Sequence, residues 1–147
     1  MRVLAVISAC FALSGCLEAT STSQNGPKPG PSLISPSAAG ALFARACIEN
    51  LPDFSNMPND LPRASFAQAP ATGTYFHQRY NLSINADAER CSLIFGSNTA
   101  IDTVVAELAN GTLSVVSPDA LPRNIDITSN EGPDGLRYFR MVLPSQD

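Results

Sequence analysis

The chain holds one histidine, His77, and four cysteines, Cys10, Cys16, Cys47 and Cys91. Those five side chains bound the reactive chemistry open to it. A Ser or Cys nucleophile needs a positioned base, and His77 is the one imidazole available for a Ser-His-Asp arrangement. No G-x-S-x-G elbow accompanies it. Zinc asks for several His or Cys ligands. A calcium loop of the D-x-D-x-D-G kind is missing, and the stretch NEGPDG has the wrong spacing for one. Asp53, Asp60, Asp87, Glu89, Asp119, Asp126, Glu131 and Asp134 are scattered through what read as turns, where carboxylates commonly bond the backbone. Nothing selects two of them as the acid and base of a glycosidase. With no phosphate-cradling glycine loop either, no catalytic residue, metal or cofactor is expected.

The histidine does fall in a stretch suited to contact. TYFHQRYNLSI, residues 74–84, alternates like one strand, which would set Tyr75, His77 and Arg79 on one face and Phe76, Gln78 and Tyr80 on the other. Tyr, His and Arg suit interfaces, so Tyr75, His77 and Arg79 form a candidate binding face. The plainer alternative is an ordinary outer sheet surface.

The elements that must carry this strand follow from periodicity and punctuation. Ser35 or Ser37 is placed to cap a helix with Pro36 in its first turn, and SPSAAGALFARACIENL continues it to Leu51, with Leu42, Phe43, Ala46 and Cys47 on one side. Residues 52–73, with four prolines, read as irregular apart from a helical turn near Pro62 to Phe66. A turn at NADAE links residues 74–84 to a second strand, RCSLIFG, as a hairpin. Ser97 or Asn98 then caps a helix marked by Ile101, Val104, Val105 and Leu108, with Asn110-Gly111 as its stop. TLSVVS, NIDITS and LRYFRMVL are three further strand candidates, parted by the turn-rich PDALPR and NEGPDG. Helix, strands, helix, strands predicts an α+β two-layer sandwich: an antiparallel sheet of four or five strands with two helices on one face.

Before this domain the composition changes twice. Residues 3–13 are an apolar run far shorter than the ~20 residues a membrane span needs, and Ser14 and Gly15 follow directly. Residues 1–15 read as a signal peptide, with an ordinary secretory signal and an incidental cysteine as the plainer alternative to the lipid-bearing kind. Its end, Leu13-Ser14-Gly15-Cys16, resembles the lipobox of bacterial lipoproteins, with a weak basic start in Arg2 as the one departure. The resemblance implies cleavage before Cys16, diacylglycerol on its sulfur and an acylated, palmitate-like N-terminus. Leu17 is not the Asp that resembles an inner-membrane retention signal, so the outer membrane, facing the periplasm, is the expected address. Residues 16–35 are rich in Ser, Thr, Gly and Pro, a flexible tether whose 19 residues after the cysteine reach at most ~60 Å. Residues 36–147 have the length of one domain.

Removing Arg2 from nine basic residues leaves eight against thirteen acidic ones, a net charge of −5. Nucleic acid is therefore not an expected partner. The cysteines count the same way: Cys10 leaves with the leader and Cys16 takes lipid, so Cys47 and Cys91 remain as one pair in an oxidising compartment. Two buried reduced cysteines, or a reactive thiol, are the alternatives. The segments ACIENLPDFSNMP, GTYFH, NLSI and CSLIFG, within residues 40–100, are similar to a group of small, uncharacterised exported proteobacterial proteins. That resemblance implies a bridge between Cys47 and Cys91 and the α+β architecture, and no activity.

The expected function is a non-catalytic cell-envelope lipoprotein, a small periplasm-facing module that binds an envelope protein or wall component. The alternative is a periplasmic hydrolase inhibitor, with LPDFSNMPNDLP as the protruding loop, or a small hydrolase. A deep pocket with convergent polar groups would favour the enzyme, a flat face or projecting loop the binder.

Overall fold

A computed structural model describes residues 26–146. The expected signal peptide, Cys16 and the first part of the expected tether lie outside the described residues. Twelve short elements follow in chain order. Helix α1 (Pro36–Phe43) starts where Ser35 Oγ accepts the Ala38 amide at 3.2 Å and Pro36 fills the first turn, as expected. It continues as a wider π-type turn over Ala44–Ile48. Helix α2 (Met57–Asp60) and a 3₁₀ turn (Pro62–Ala64) lead into strand β1 (Phe66–Gln68). Strands β2 (Tyr75–His77), β3 (Leu82–Ala86) and β4 (Arg90–Ser97) precede helix α3 (Ile101–Leu113). A 3₁₀ turn (Pro118–Ala120), β5 (Asp126–Glu131) and β6 (Arg137–Pro144) complete the domain.

The six strands form one antiparallel sheet in the order β1-β2-β3-β4-β6-β5. Register sets Ile84, Leu93 and Met141 in one row, and Phe95 beside Phe139 in the next, their rings 5.6 Å apart. This face packs with Phe43, Ala39, Val104 and Leu108 of α1 and α3 into a single core. The other face carries Ser83, Ile94, Arg140 and Thr128 and has no second layer among the described residues. The architecture is thus the expected α+β sandwich, with six strands and three helices.

Four differences have physical causes. The expected strand of residues 74–84 is two strands, because the chain reverses after His77 and Tyr75 comes to face Ile84. TLSVVS is the end of α3 and a turn: the Ser114 amide bonds Asn110 O, and the Val115 and Val116 amides bond Thr112 O. Asn110-Gly111 is not the helix stop, and Ser97 and Asn98 are not its cap. The cap position is Ala100, without a side-chain bond, while Ser97 Oγ accepts the Thr99 amide. Gly111 instead lies where α3 crosses α1: a Cβ there would sit 1.9 Å from Ser37 O. Gly40 is its counterpart, since a Cβ on it would sit 2.3 Å from Leu108 O. Two glycines thus let the helices touch backbone to backbone, and Thr112 Oγ1 lies within 3.3 Å of Gly40 O across the crossing.

Residues expected as irregular are tied down. Phe54, Met57 and Leu61 are buried, so LPDFSNMPNDLP folds onto the domain rather than projecting from it. Cys47 and Cys91 are joined by a disulfide, Cα atoms 5.6 Å apart, linking the first helical segment to β4 at the centre of the core.

Candidate functional site

The only histidine sits at the reversal between β2 and β3, and its ring builds that reversal. His77 Nδ1 accepts the backbone amides of Arg79 at 3.1 Å and Tyr80 at 3.2 Å. Its faces meet Phe66, edge-on at 5.0 Å, and Tyr80 at 4.8 Å. Two amides aimed at Nδ1 require its lone pair, so the neutral ring carries its proton on Nε2. Burial, and then the Arg79 guanidinium, hold the His77 pKa below the usual histidine value.

The turn is braced from outside the sheet. The Gly30 amide bonds His77 O at 2.9 Å and Tyr80 O at 3.0 Å, the Ser32 amide bonds Arg79 O, and the Asn81 amide returns to Ser32 O at 2.7 Å. Only glycine fits at position 30, because a Cβ would lie 2.1 Å from the Arg79 carbonyl carbon. With Ile34 also buried, the chain is docked from Gly30 onward, inside the stretch expected to be tether.

This places the three residues of the expected binding face unevenly. Tyr75 and His77 are each 7 % exposed, on the core side of the sheet. Arg79 is exposed on the turn. What the fold assembles instead is a depression of about 310 Å³ lined by Ser65, His77, Gln78, Arg79 and Tyr80. His77 contributes an N–H donor, Arg79 a cation, and Gln78 and Ser65 neutral donors. The Gln78 amide bonds Ser65 O at 3.0 Å, and Ser65 itself is left-handed at φ 66°, so both rims are fixed by backbone. The combination of donors suits an anion or a carbonyl-rich group. It does not suit general-base catalysis, since Nε2 already holds a proton and Nδ1 is occupied.

Two other arrangements escaped sequence reasoning because each needs at least one partner remote in the chain. Tyr138 donates its phenolic hydrogen to Asp134 Oδ2 at 2.6 Å and accepts from Asn81 Nδ2 at 3.2 Å. Donation to Asp134 raises the Tyr138 pKa and lowers that of Asp134. A second groove, about 190 Å³, runs between α3 and β5 and is apolar, with Val105, Leu108, Leu121, Ile125 and Ile127 along it.

The turn carboxylates behave as their positions suggest. Asp87 Oδ1 accepts the Glu89 and Arg90 amides at 2.9 Å each, and Asp53 Oδ1 accepts that of Ser55 at 3.1 Å. Those backbone bonds hold both carboxyls below the usual range. Among the described residues no group of three His, Cys, Asp or Glu is placed to hold a metal ion, and no helix is long and apolar enough to cross a membrane. No family model, characterised protein or solved structure matches the chain.

Proposed function

We propose that the protein is a non-catalytic binding module of a bacterial cell envelope, held in the outer membrane by lipid on Cys16. Its contact site is the depression at the β2–β3 turn, and its ligand carries an anionic group, a carboxylate or phosphate on an envelope protein or wall component. One observation carries this reading: a histidine locked as an Nε2–H donor lies beside the exposed cation of Arg79 on a turn with no slack. Rigid donors lose little freedom when they meet an anion. The inhibitor alternative asked for a projecting loop, and the burial of Phe54, Met57 and Leu61 weighs against it.

A photoreactive residue at Gln78 in full-length protein, activated in cells, tests the site. An adduct that disappears in Arg79→Glu, with the fold unchanged by circular dichroism, supports it. An adduct indifferent to Arg79→Glu, or none, overturns it. Cys16→Ser tests the anchor separately: the domain should leave the membrane fraction or persist as uncleaved precursor, and unchanged fractionation would reject lipidation.

A further inference from the structure

Three segments far apart in the chain meet at the end of the sheet opposite the His77 turn. Residues 53–58, the β1–β2 turn and the β3–β4 turn enclose a cavity of about 310 Å³. Its lining is mostly apolar, with Phe54, Met57 and Pro58 from the first segment and Ala86 from the last. An apolar cavity with a few polar groups turned into it is the usual form of a small-ligand site.

The polar groups that line it are acceptors. Tyr75 is 7 % exposed, and its hydroxyl makes no hydrogen bond among the described residues. No side-chain oxygen or nitrogen among those residues is sealed from solvent without a partner, so this hydroxyl opens into the cavity that Tyr75 lines. A buried tyrosine hydroxyl ordinarily finds a partner, and here a ligand would supply it. The Gln68 side-chain amide gives a proton to Gly73 O at 3.3 Å, which leaves its own oxygen as an acceptor. Asp53 Oδ1 accepts the Ser55 amide at 3.1 Å, and Asp53 has no ion pair among the described residues. Asp87 also stands at the rim, but its Oδ2 lies 3.5 Å from Arg90 Nε, and those two charges offset one another. The cavity therefore carries one uncompensated negative charge, that of Asp53, kept ionised by its bonds to Ser55.

We infer that this cavity binds an alkylammonium group, its N–H donors meeting Asp53, Gln68 and Tyr75 and its short carbon stem lying against Phe54, Met57 and Pro58. An ammonium has three donors for three separate acceptors. A guanidinium asks for a carboxylate free to accept at both oxygens, and Asp53 has already given Oδ1 to Ser55. The lysine side chain of a protein and a free alkylamine share this chemistry, and a chain of net charge −4 attracts either. The site is independent of the function proposed for the β2–β3 turn, whose donors take the opposite charge.

Full-length chain labelled with nitrogen-15 and titrated with butylammonium chloride, against sodium chloride at equal ionic strength, tests the site. Saturable amide shifts are expected at residues 53–55, 68, 73 and 86–88, with a dissociation constant of about 1–10 mM. Asp53→Asn keeps an oxygen for the Ser55 amide and should raise that constant about five- to tenfold. Tyr75→Phe keeps the ring and should raise it about three- to fivefold. Nα-acetyl-lysine amide separates the two sources: binding tighter than butylammonium assigns the site to a protein side chain, equal or weaker binding to a free amine. No saturable shift with either amine, shifts centred elsewhere, or a constant unchanged in folded Asp53→Asn overturns the inference. Butanol binding as well as butylammonium, or butylguanidinium binding more tightly, does so too. Arg79→Glu should leave these shifts intact, so failure at the depression and failure here are read separately.

Discussion

Gly111→Ala separates two accounts of one glycine by the sign of its effect. If Gly111 merely closed a helix, or sat on an open helix face, alanine inside α3 would stabilise the domain by ~0.5–1 kcal/mol through reduced backbone entropy of the unfolded chain. The structure gives the opposite sign. The added methyl would lie 1.9 Å from Ser37 O, against about 3.4 Å for ordinary contact, so α1 and α3 must part by roughly 1.5 Å. The obstacle is backbone on both sides, and no side chain can swing away. Parting the helices loosens Phe43, Val104 and Leu108, all fully buried, and breaks the reach of Thr112 Oγ1 to Gly40 O. Overpacking against backbone on both sides costs about 2–4 kcal/mol, and subtracting the propensity gain leaves a net loss of ~1–3 kcal/mol. Urea unfolding followed by far-UV circular dichroism, with the disulfide intact, reads it as a midpoint lowered by ~1–2 M. Ala106→Gly, on the exposed side of the same helix, should lose only about 1 kcal/mol. A Gly111→Ala midpoint equal to or above the parent's would refute the close crossing.

Further outcomes are open to measurement. The folded His77 pKa lies below the unfolded value near 6.5, so the unfolded chain binds the proton first. Stability is then full above about pH 6.5 and falls with pH until the lowered folded pKa is passed, by at most ~1.4 kcal/mol per pH unit. His77→Gln should remove that slope from equilibrium unfolding curves, and an unchanged slope would assign it elsewhere. Denatured, unreduced chain should show no thiol at Cys47 or Cys91, and replacing both by alanine should cost about 4 kcal/mol of stability for a separation of 44 residues. Two titratable thiols would contradict the bridge. The Tyr138 phenol should ionise above its ordinary value of 10.0, and Asp134→Ala should bring it back toward that value in spectrophotometric titration. No change would mean that the hydrogen bond does not persist in solution.

Where chemistry acts between residues a few positions apart, the sequence was informative. The Ser35 cap with Pro36, the hairpin turn at Asp87 and the β5–β6 hairpin around NEGPDG are local bonds between a side chain or turn and its own neighbours. The candidate site was legible in part: His77 and Arg79 were picked out by type, yet their relation depended on a turn that alternation hides. TYFHQRYNLSI reads as one strand because period two is all that a local pattern expresses.

What the sequence by itself determined is the α+β pattern of alternating apolar periods, the one histidine and an acidic chain. Tertiary structure decided the rest. His77 became a turn-former because Gly30 and Ser32, some 45 residues earlier, hold the reversal from outside. Gly111 became a contact point because α1 crosses it. β5 became an exposed edge because β6 inserts between it and β4. In each case the deciding partner is distant along the chain, and its position exists only after the chain has collapsed around a common core, which residue type and local spacing do not encode.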